Sequence, residues 1–507
     1  MYINKLGGDP ASCFITSSLG TTHYRSFQAS SLYKNNITMH SLSQYLLTTS
    51  QNLNPNRRHG SHHQQFESDH HWSRYSLLYI SYALKKSADS CSIGPAGCAL
   101  AHGLKKAGIS YSIYDKGEDV YRHRHWAFTL GWAQPYLCDL LPEELSAQIN
   151  SCQVDPYVDC ATIKEDRIVI YNGGTREEAF TFPIPKAREI NIRKLRVLCA
   201  EKLKVQYGMK FQRYETLQDG GVKVFFEDGS MDTADIVIGI DGAMSKVRQC
   251  LLGRKADMDI LPFALMNFNA SYTAEQARFI KDRLHPLVDI AIHPARHYIR
   301  VNVLDMPDQE DATKWTFQIL STWPLKYVED HDNEVDRLKR LKEHVKKARW
   351  AEPYKSAIEW IPEDTEVLRD QLKIWKTVPW DNQGGRVTLC GDAAHAMTFR
   401  KNLFLKKNVE RGSVLMLNSD RGQGANNAFY SAHCLVEALK SVQAGSTTLE
   451  DAITAYDESI WKRGANEVQI SKAQTFFTHD GLENFINSPV MKLGTKPSHA
   501  AKSEGYE

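Results

Sequence analysis

Three carboxylates in this sequence follow short apolar runs: Asp115 after ISYSIY, Asp241 after DIVIGI and Asp392 after RVTLCG. A short carboxylate at the C-terminal end of a buried strand is placed to accept hydrogen bonds from sugar or polyol hydroxyls. That edge is where open α/β sheets hold ligands. Gly94 and Gly97 lie in SIGPAGCALAHGLKKAG, a glycine turn running into a helix. Such a turn lets backbone N–H groups approach a pyrophosphate, and the helix N-terminus adds partial positive charge. An acidic residue about twenty positions on, here Asp115, can hold both hydroxyls of a ribose. Singly, each feature is ordinary, since glycine turns open many plain crossovers and Asp-Gly is most often a simple turn. Their succession along one chain carries the signal.

The elements that must position these residues read as α/β. Leu100, Leu104 and Ala107 give the first helix an apolar face, Gly108 closes it, and Ala96, Gly97 and Ala101 are small enough for close approach to a sheet. Ile236 to Ile240 and Val387 to Cys390 read as buried strands running into Asp241-Gly242 and Gly391-Asp392. Two faults stand at the front. Ser92 occupies a glycine position of G-x-G-x-x-G, at a cost on the order of 1–2 kcal/mol where φ must be positive. The segment KKSADSCSI before the turn is polar where a continuous apolar strand is expected, so no first strand is read there.

Composition bounds the rest. The 507 residues, 42% apolar, can bury a large core in two or three units. A net charge of +2 without a long single-sign block gives no support for nucleic-acid binding. Ten cysteines with no C-x-x-C indicate neither a zinc ribbon nor a disulfide framework, and a reducing, cytoplasmic setting is expected. No apolar run approaches a membrane span, and the N-terminus lacks the apolar core of a signal peptide. Residues 1–88 read as a polar N-terminal extension. Its His62, His63, His70 and His71 could suggest metal binding, but the composition fits a disordered tail better, and no metal site is expected.

The segments GPAGCALAHGL, VIGIDGAMSKVR, VTLCGDAAHAM, RGQGANNA and KRGANEV, in this order between about Cys91 and Lys492, resemble the FAD-dependent aromatic hydroxylases. These are the class A flavoprotein monooxygenases with the para-hydroxybenzoate hydroxylase fold, and the likeness is to their fungal branch. The resemblance implies a Rossmann-like FAD-binding domain with an inserted α+β substrate domain and C-terminal helices. The FAD-binding domain would take 89–262 and 370–450, the substrate domain 263–369, and the helical segment and tail 451–507. Gly94, Pro95, Ala96 and Gly97 would approach the FAD pyrophosphate, and Asp115, with Lys116 beside it, would hold the adenosine ribose. Asp241 and Gly242 match an element tied to FAD and NAD(P)H pyrophosphates. Gly391 and Asp392 match the motif that binds the ribityl chain. Gly422, Gly424, Ala425 and Asn426 match a helix start facing the isoalloxazine N1–C2 edge, where N–H groups stabilise the negative charge of reduced flavin. The family's arginine in a segment like INIRKLRVL falls on Ile192, so Arg193 beside it is carried instead.

The implied activity uses NAD(P)H and O2 to hydroxylate or epoxidise a small organic substrate, aromatic or of secondary metabolism, with the protein supplying placement and exclusion of water. No side-chain acid or base is nominated, and His395 reads as structural. Phe263, Phe268, Tyr298, Phe317 and Trp323 could line a pocket, though most read as core. NEVDRLKRLKEHVKKARW reads as an amphipathic helix with Val335, Leu338, Leu341, Val345 and Ala348 on one side. Alternatives are an oxidase, reductase or halogenase on the same fold, the last weakly echoed by EWIP at 359–362, or an inactive flavin-fold protein. The inactive reading draws on the interruption at 400–419, which parts GDAAHAMTF from RGQGANNA where the family runs almost directly on. That segment is compatible with a translated intron, since Arg400-Lys401 can be encoded by a GTAAG donor. The rival is a surface insertion at a loop tip.

Overall fold

One parallel sheet sets the level of all three carboxylates. The computed structural model describes residues 76–81, 94–121, 126–159, 167–184, 186–218, 220–325, 337–367, 370–397 and 423–487. The chain divides into Met1–His71 and Trp72–Glu507, and all the described residues belong to the second unit. The histidine-rich tail, Ser92, Val335, residues 400–419 and Gly422 lie outside the described residues.

In chain order, β1 (Ser76–Ser81) and β2 (Ser110–Asp115) bracket the helix Pro95–Lys106, and β3 (Ala127–Leu130), β4 (Arg167–Asn172), β5 (Glu178–Pro183) and β6 (Arg188–Asn191) follow. Past the helix Ile192–Ala200 come β7 (Val205–Gln206), β8 (Phe211–Thr216), β9 (Val222–Phe226), β10 (Met231–Ala234) and β11 (Ile236–Gly239). The long strands β12 (Asp259–Ser271), β13 (Asp289–His293), β14 (His297–Asp305) and β15 (Thr316–Pro324) come next. Then β16 (Asp370–Ile374) and β17 (Val387–Leu389) lead to the helices Gln423–Gln443, Leu449–Thr478 and Leu482–Asn487.

Strands β17, β11, β1, β2 and β7 lie side by side in that order, every neighbouring pair parallel. A seven-stranded mixed sheet runs β16-β12-β15-β14-β13-β4-β5, while β3 pairs with β6 and β8, β9 and β10 form a meander. This is the mixed α/β architecture that the sequence suggests, with two corrections. A first strand does exist. It is the apolar SLLYIS of β1, at the centre of the parallel sheet and upstream of the polar KKSADS, inside the stretch assigned to the N-terminal extension. The domain limits also shift. β4 and β5, from within 89–262, and β16, from within 370–450, join the second sheet, and β12 already begins at Asp259. Strand partners far apart in the chain leave no local trace in composition, so the sequence misplaces these limits.

The parallel sheet buries Ile113, Val237, Ile238 and Leu389 against Leu100 and Leu104 of the first helix and Phe429 and Leu435 of the Gln423–Gln443 helix. Each such side chain contributes about 1.5–3 kcal/mol when fully buried. In the larger sheet one face packs Phe268, Ile299, Val301, Phe317 and Trp323 against Leu338, Leu341, Val345 and Ile358. The amphipathic reading of the helix Arg337–Ala348 is thereby matched. The opposite face carries Phe263, Tyr298 and Leu320 and meets Val468 and Leu482. The Leu449–Thr478 helix, 30 residues long, thus enters both cores: Ile453, Tyr456 and Ile460 pack with the parallel sheet and Val468 with the other. Among the described residues no helix is long and apolar enough to cross a membrane.

Candidate functional site

Pairing in the parallel sheet aligns Ser81 with Asp115, Ile80 with Gly239, and Gly239 with Leu389. Asp115, Asp241 and Asp392 therefore all stand at, or within a few residues beyond, one C-terminal edge. At Gly94, the N-cap of the helix Pro95–Lys106, none of the described residues beyond its chain neighbours brings a heavy atom within 4 Å of where its Cβ would lie. Pro95 takes the first helical position, where a missing N–H costs nothing. Ala96 is half-buried, and Gly97 is buried in the first turn, its N–H bonded to the Gly94 carbonyl at 2.9 Å. Asp115 is buried, and its Oδ1 accepts from the Gly117 N–H at 2.6 Å, while Lys116 is half-buried beside it.

The other two carboxylates are tied into one block. Asp241 Oδ2 accepts from the N–H groups of Lys246 (2.6 Å) and Val247 (3.2 Å), capping the helix Lys246–Leu252 alongside Ser245, whose Oγ takes the Arg248 N–H at 2.9 Å. Burial pushes the Asp241 carboxyl up, against the pull of Ser245 and the two amides. Gly242, at φ +80°, turns the chain after it. Gly239 permits that helix to sit on β11, since a Cβ there would meet the Val247 Cβ at 2.7 Å. From the same helix the buried Arg248 donates Nη2 to the Ala243 carbonyl (2.5 Å) and Nη1 to the Ala393 carbonyl (2.9 Å), with its guanidinium 4.6 Å over Trp375. It fastens the turn after β11 to the turn after β17. Nothing in the sequence flags Arg248 beyond its place in VIGIDGAMSKVR.

Gly391 has φ +61° and ψ −142°, a conformation that only glycine adopts freely. Asp392 follows. Its side chain is exposed, yet burial among protein atoms pushes its carboxyl up to about 6, with Arg248 drawing it down. Water reaches the group, while neighbouring protein atoms crowd it. Beside it begins the helix Gln423–Gln443, where a Cβ on Gly424 would stand 3.5 Å from Asp392 Oδ1 and Ala425 is half-buried. Asn426 is fully buried, and its side chain is committed elsewhere. Nδ2 donates to the Thr129 carbonyl (3.0 Å), and Oδ1 accepts from the N–H groups of Gly131 (3.1 Å) and Ala133 (3.4 Å). Its side chain is thus a clamp on the loop after β3.

His395 is buried with Nε2 at 2.9 Å from Ser431 Oγ, and burial together with nearby Arg463 pushes it down to about 3. It is neutral near pH 7 and structural, as the sequence suggests. Arg463, from KRGANEV, donates to Asn427 Oδ1 (2.6 Å) and Ser431 Oγ (2.8 Å), bracing the same helix. Arg193 is different. It sits exposed in the first turn of the helix Ile192–Ala200, its N–H capped by Asn191 Oδ1 at 3.0 Å, and lines a cleft of about 380 Å³ with Tyr121, Cys152, Lys194 and Asp305. None of Asp115, Asp241 and Asp392 lines that cleft. Among the described residues one trio of metal-ligating types comes together, Asp139, His433 and Glu437 at the surface. Ordinary ion pairs employ it: His433 with Asp139 at 3.0 Å and Lys440 with Glu437 at 2.8 Å.

Residues at this edge fit a flavin dinucleotide on three counts. Among the described residues, nothing crowds the position a Gly94 Cβ would take, Asp241 keeps a buried Oδ1 without a hydrogen-bond partner, and Asp392 offers an exposed carboxylate beside Gly424. A parallel sheet with carboxylates along its C-terminal edge is the arrangement in which open α/β sheets hold their ligands. No family model matches the chain. Individual relatives do. The chain is 31% identical to the FAD-dependent monooxygenase phnB of Penicillium herquei over 80% of its own length and 93% of the relative's. It is 30% identical to the FAD-dependent monooxygenase cctM of Talaromyces islandicus, over 80% and 95%. The structure of Klebsiella pneumoniae HpxO with FAD and uric acid superposes with a TM-score of 0.60 at 17% identity, covering 82% of this chain and 93% of that one. For 2,6-dihydroxypyridine-3-hydroxylase of Arthrobacter nicotinovorans the TM-score is 0.57 at 13% identity, covering 80% and 93%. The chain belongs to the FAD-dependent monooxygenases.

Proposed function

We propose that this monooxygenase takes NAD(P)H and O2 and hydroxylates or epoxidises a small organic substrate, with FAD lying along the C-terminal edge of the parallel sheet. The observation that carries this reading is the close approach of Asp392 and Gly424, on the sheet edge that also bears Asp115 and Asp241. In this arrangement the turn of Gly94, Pro95, Ala96 and Gly97 receives the pyrophosphate, and Asp115 with Lys116 receives the adenosine ribose. Asp241 and Gly242 shape the turn beside the pyrophosphate, and Gly391 and Asp392 hold the ribityl chain. The helix start at Gly424, Ala425 and Asn426 presents its N–H groups to the N1–C2 edge. FAD, when bound, supplies the two-electron reaction with dioxygen. The parallel sheet with its helices acts as the FAD module and the seven-stranded sheet as the substrate module.

Charge placement supports the assignment of the helix start. The positive end of a 21-residue helix favours anionic charge that develops near it. His395, close by, contributes no proton, being neutral, buried and engaged with Ser431 at Nε2. The halogenase alternative loses ground, because Trp360 and Ile361 of EWIP pack with the Leu341 and Val345 side of the large sheet, opposite Tyr298 and Leu320.

The test is reconstitution. Full-length protein incubated with FAD and desalted is expected to retain yellow flavin and consume NAD(P)H, and Asp392→Ala is expected to lose most of the flavin. Wild-type protein that emerges colourless overturns the reading. Oxygenated product against hydrogen peroxide then separates a monooxygenase from an oxidase.

A further inference from the structure

The loop after β3 touches the helix start assigned above to the flavin edge, and β3 is held on its other flank by the substrate sheet. β3 has four buried residues and pairs with β6, with Thr129 opposite Glu189. The Thr129 carbonyl accepts the Asn426 amide at 3.0 Å, and the Thr129 hydroxyl donates to Glu189 Oε2 at 2.7 Å. Glu189 Oε1 pairs with the Arg300 guanidinium, which β14 carries on the Tyr298 and Leu320 face of the large sheet. Glu189 is 2% exposed and Arg300 7%. A second attachment runs beside the first. The Ala127 N–H donates to Gln318 Oε1 at 2.8 Å, and Gln318 Nε2 donates to Asn267 Oδ1 at 2.9 Å. β3 is therefore fixed to the substrate sheet by buried side chains, at two points.

We propose that Glu189 and Arg300 are positioning residues. Through Thr129 and Asn426 they fix the N-terminal turn of the Gln423–Gln443 helix and so set how strongly the protein favours reduced over oxidised flavin. The inference rests on the assignment of that turn to the flavin's N1–C2 edge. Helix N–H groups stabilise negative charge only while aimed at it, and a displacement near 1 Å suffices to lose much of such an effect. The relay links three separate elements through one buried carboxylate, whose two oxygens serve the two sides. A mere fold-stabilising pair would have no reason to act on one redox state of the flavin more than on the other.

The experiment measures FAD dissociation constants for oxidised and reduced flavin, with the two-electron potential, in wild-type protein, Glu189→Gln, Thr129→Val and Arg300→Lys. Glu189→Gln keeps the shape and the Thr129 bond but removes the charge facing Arg300. Thr129→Val cuts one hydrogen bond and leaves the ion pair, so it remains informative should the first variant fold poorly. The expected result is reduced FAD weakened about tenfold more than oxidised FAD in Glu189→Gln, which is about 30 mV towards more negative potential for a two-electron couple. Thr129→Val shifts the same way by less, and Arg300→Lys, which keeps the positive charge facing Glu189, shifts less than Glu189→Gln. Equal weakening of both redox states, or an unshifted potential with only a lowered melting temperature, overturns the inference. Wild-type protein that binds no FAD overturns instead the assignment beneath it.

Discussion

A Cβ placed on Gly424 would stand 3.5 Å from Asp392 Oδ1, although residues 398–422 part the two in sequence. Gly391 repeats the relationship one step back, its added Cβ lying 3.2 Å from the Ala428 Cβ. The two halves of the motif that the interruption divides are therefore side by side. Removing residues 400–419 shortens the connection about fivefold, which saves about 1.4 kcal/mol of closure entropy. The shortened protein is expected to keep or improve its FAD affinity, as read by flavin fluorescence titration. A loss of affinity would make the segment part of the site.

Gly391 cannot be replaced cheaply. An alanine there must hold φ near +61° and press on Ala428, at a cost of about 1–3 kcal/mol from the backbone alone. Gly391→Ala should melt earlier and retain less flavin, whereas Gly94→Ala, with open space before it, should leave the melting temperature nearly unchanged.

Arg248 presents a sharper case. Its loss strands the buried carbonyl of Ala393 and the half-buried one of Ala243, which it serves at 2.9 and 2.5 Å. Arg248→Met is expected to cost about 1–3 kcal/mol by denaturant unfolding for the buried Ala393 carbonyl, with the half-buried Ala243 carbonyl adding less. Lysine should not rescue it, because one ammonium lacks the planar fork that reaches both turns.

Asp457 should give stability a pH slope. It takes the Thr388 hydroxyl at 2.5 Å and the Trp380 and Asn382 N–H groups at 3.1 Å, yet burial pushes its carboxyl up to about 7. A carboxyl raised on folding binds its proton more tightly in the native state, so stability falls as pH rises from about 4 through about 7. Asp392, raised to about 6, adds to the same trend. Asp457→Asn can accept the same two N–H groups and should flatten the melting-temperature profile across that window. An unchanged slope would remove Asp457 from the account.

Local signals are legible in the sequence and distant ones are not. Asp115, Asp241 and Asp392 can be found because a strand followed at once by a carboxylate or glycine is a pattern of a few residues. β1 escapes notice because its apolar run lies beyond a polar stretch, away from the glycine turn where such a strand is sought. Arg248, Arg463 and Arg300 look in sequence like any surface arginine, and only the fold reveals which carbonyls and carboxylates they meet. Arg193 shows the converse. It stands beside the family's arginine position, but the helix that carries it turns it outward. Asn426 belongs to the turn the sequence points to, with a side chain whose work is to hold β3 rather than a ligand.

The Leu449–Thr478 helix, rooted in both cores, spans about 45 Å at about 1.5 Å per residue. A strut of that length, packed into a different core along each half, opposes any jaw-like swing of one half against the other. Access for small molecules must then come from peripheral segments moving one at a time, and the enzyme's breathing should be local and fast instead of global and slow.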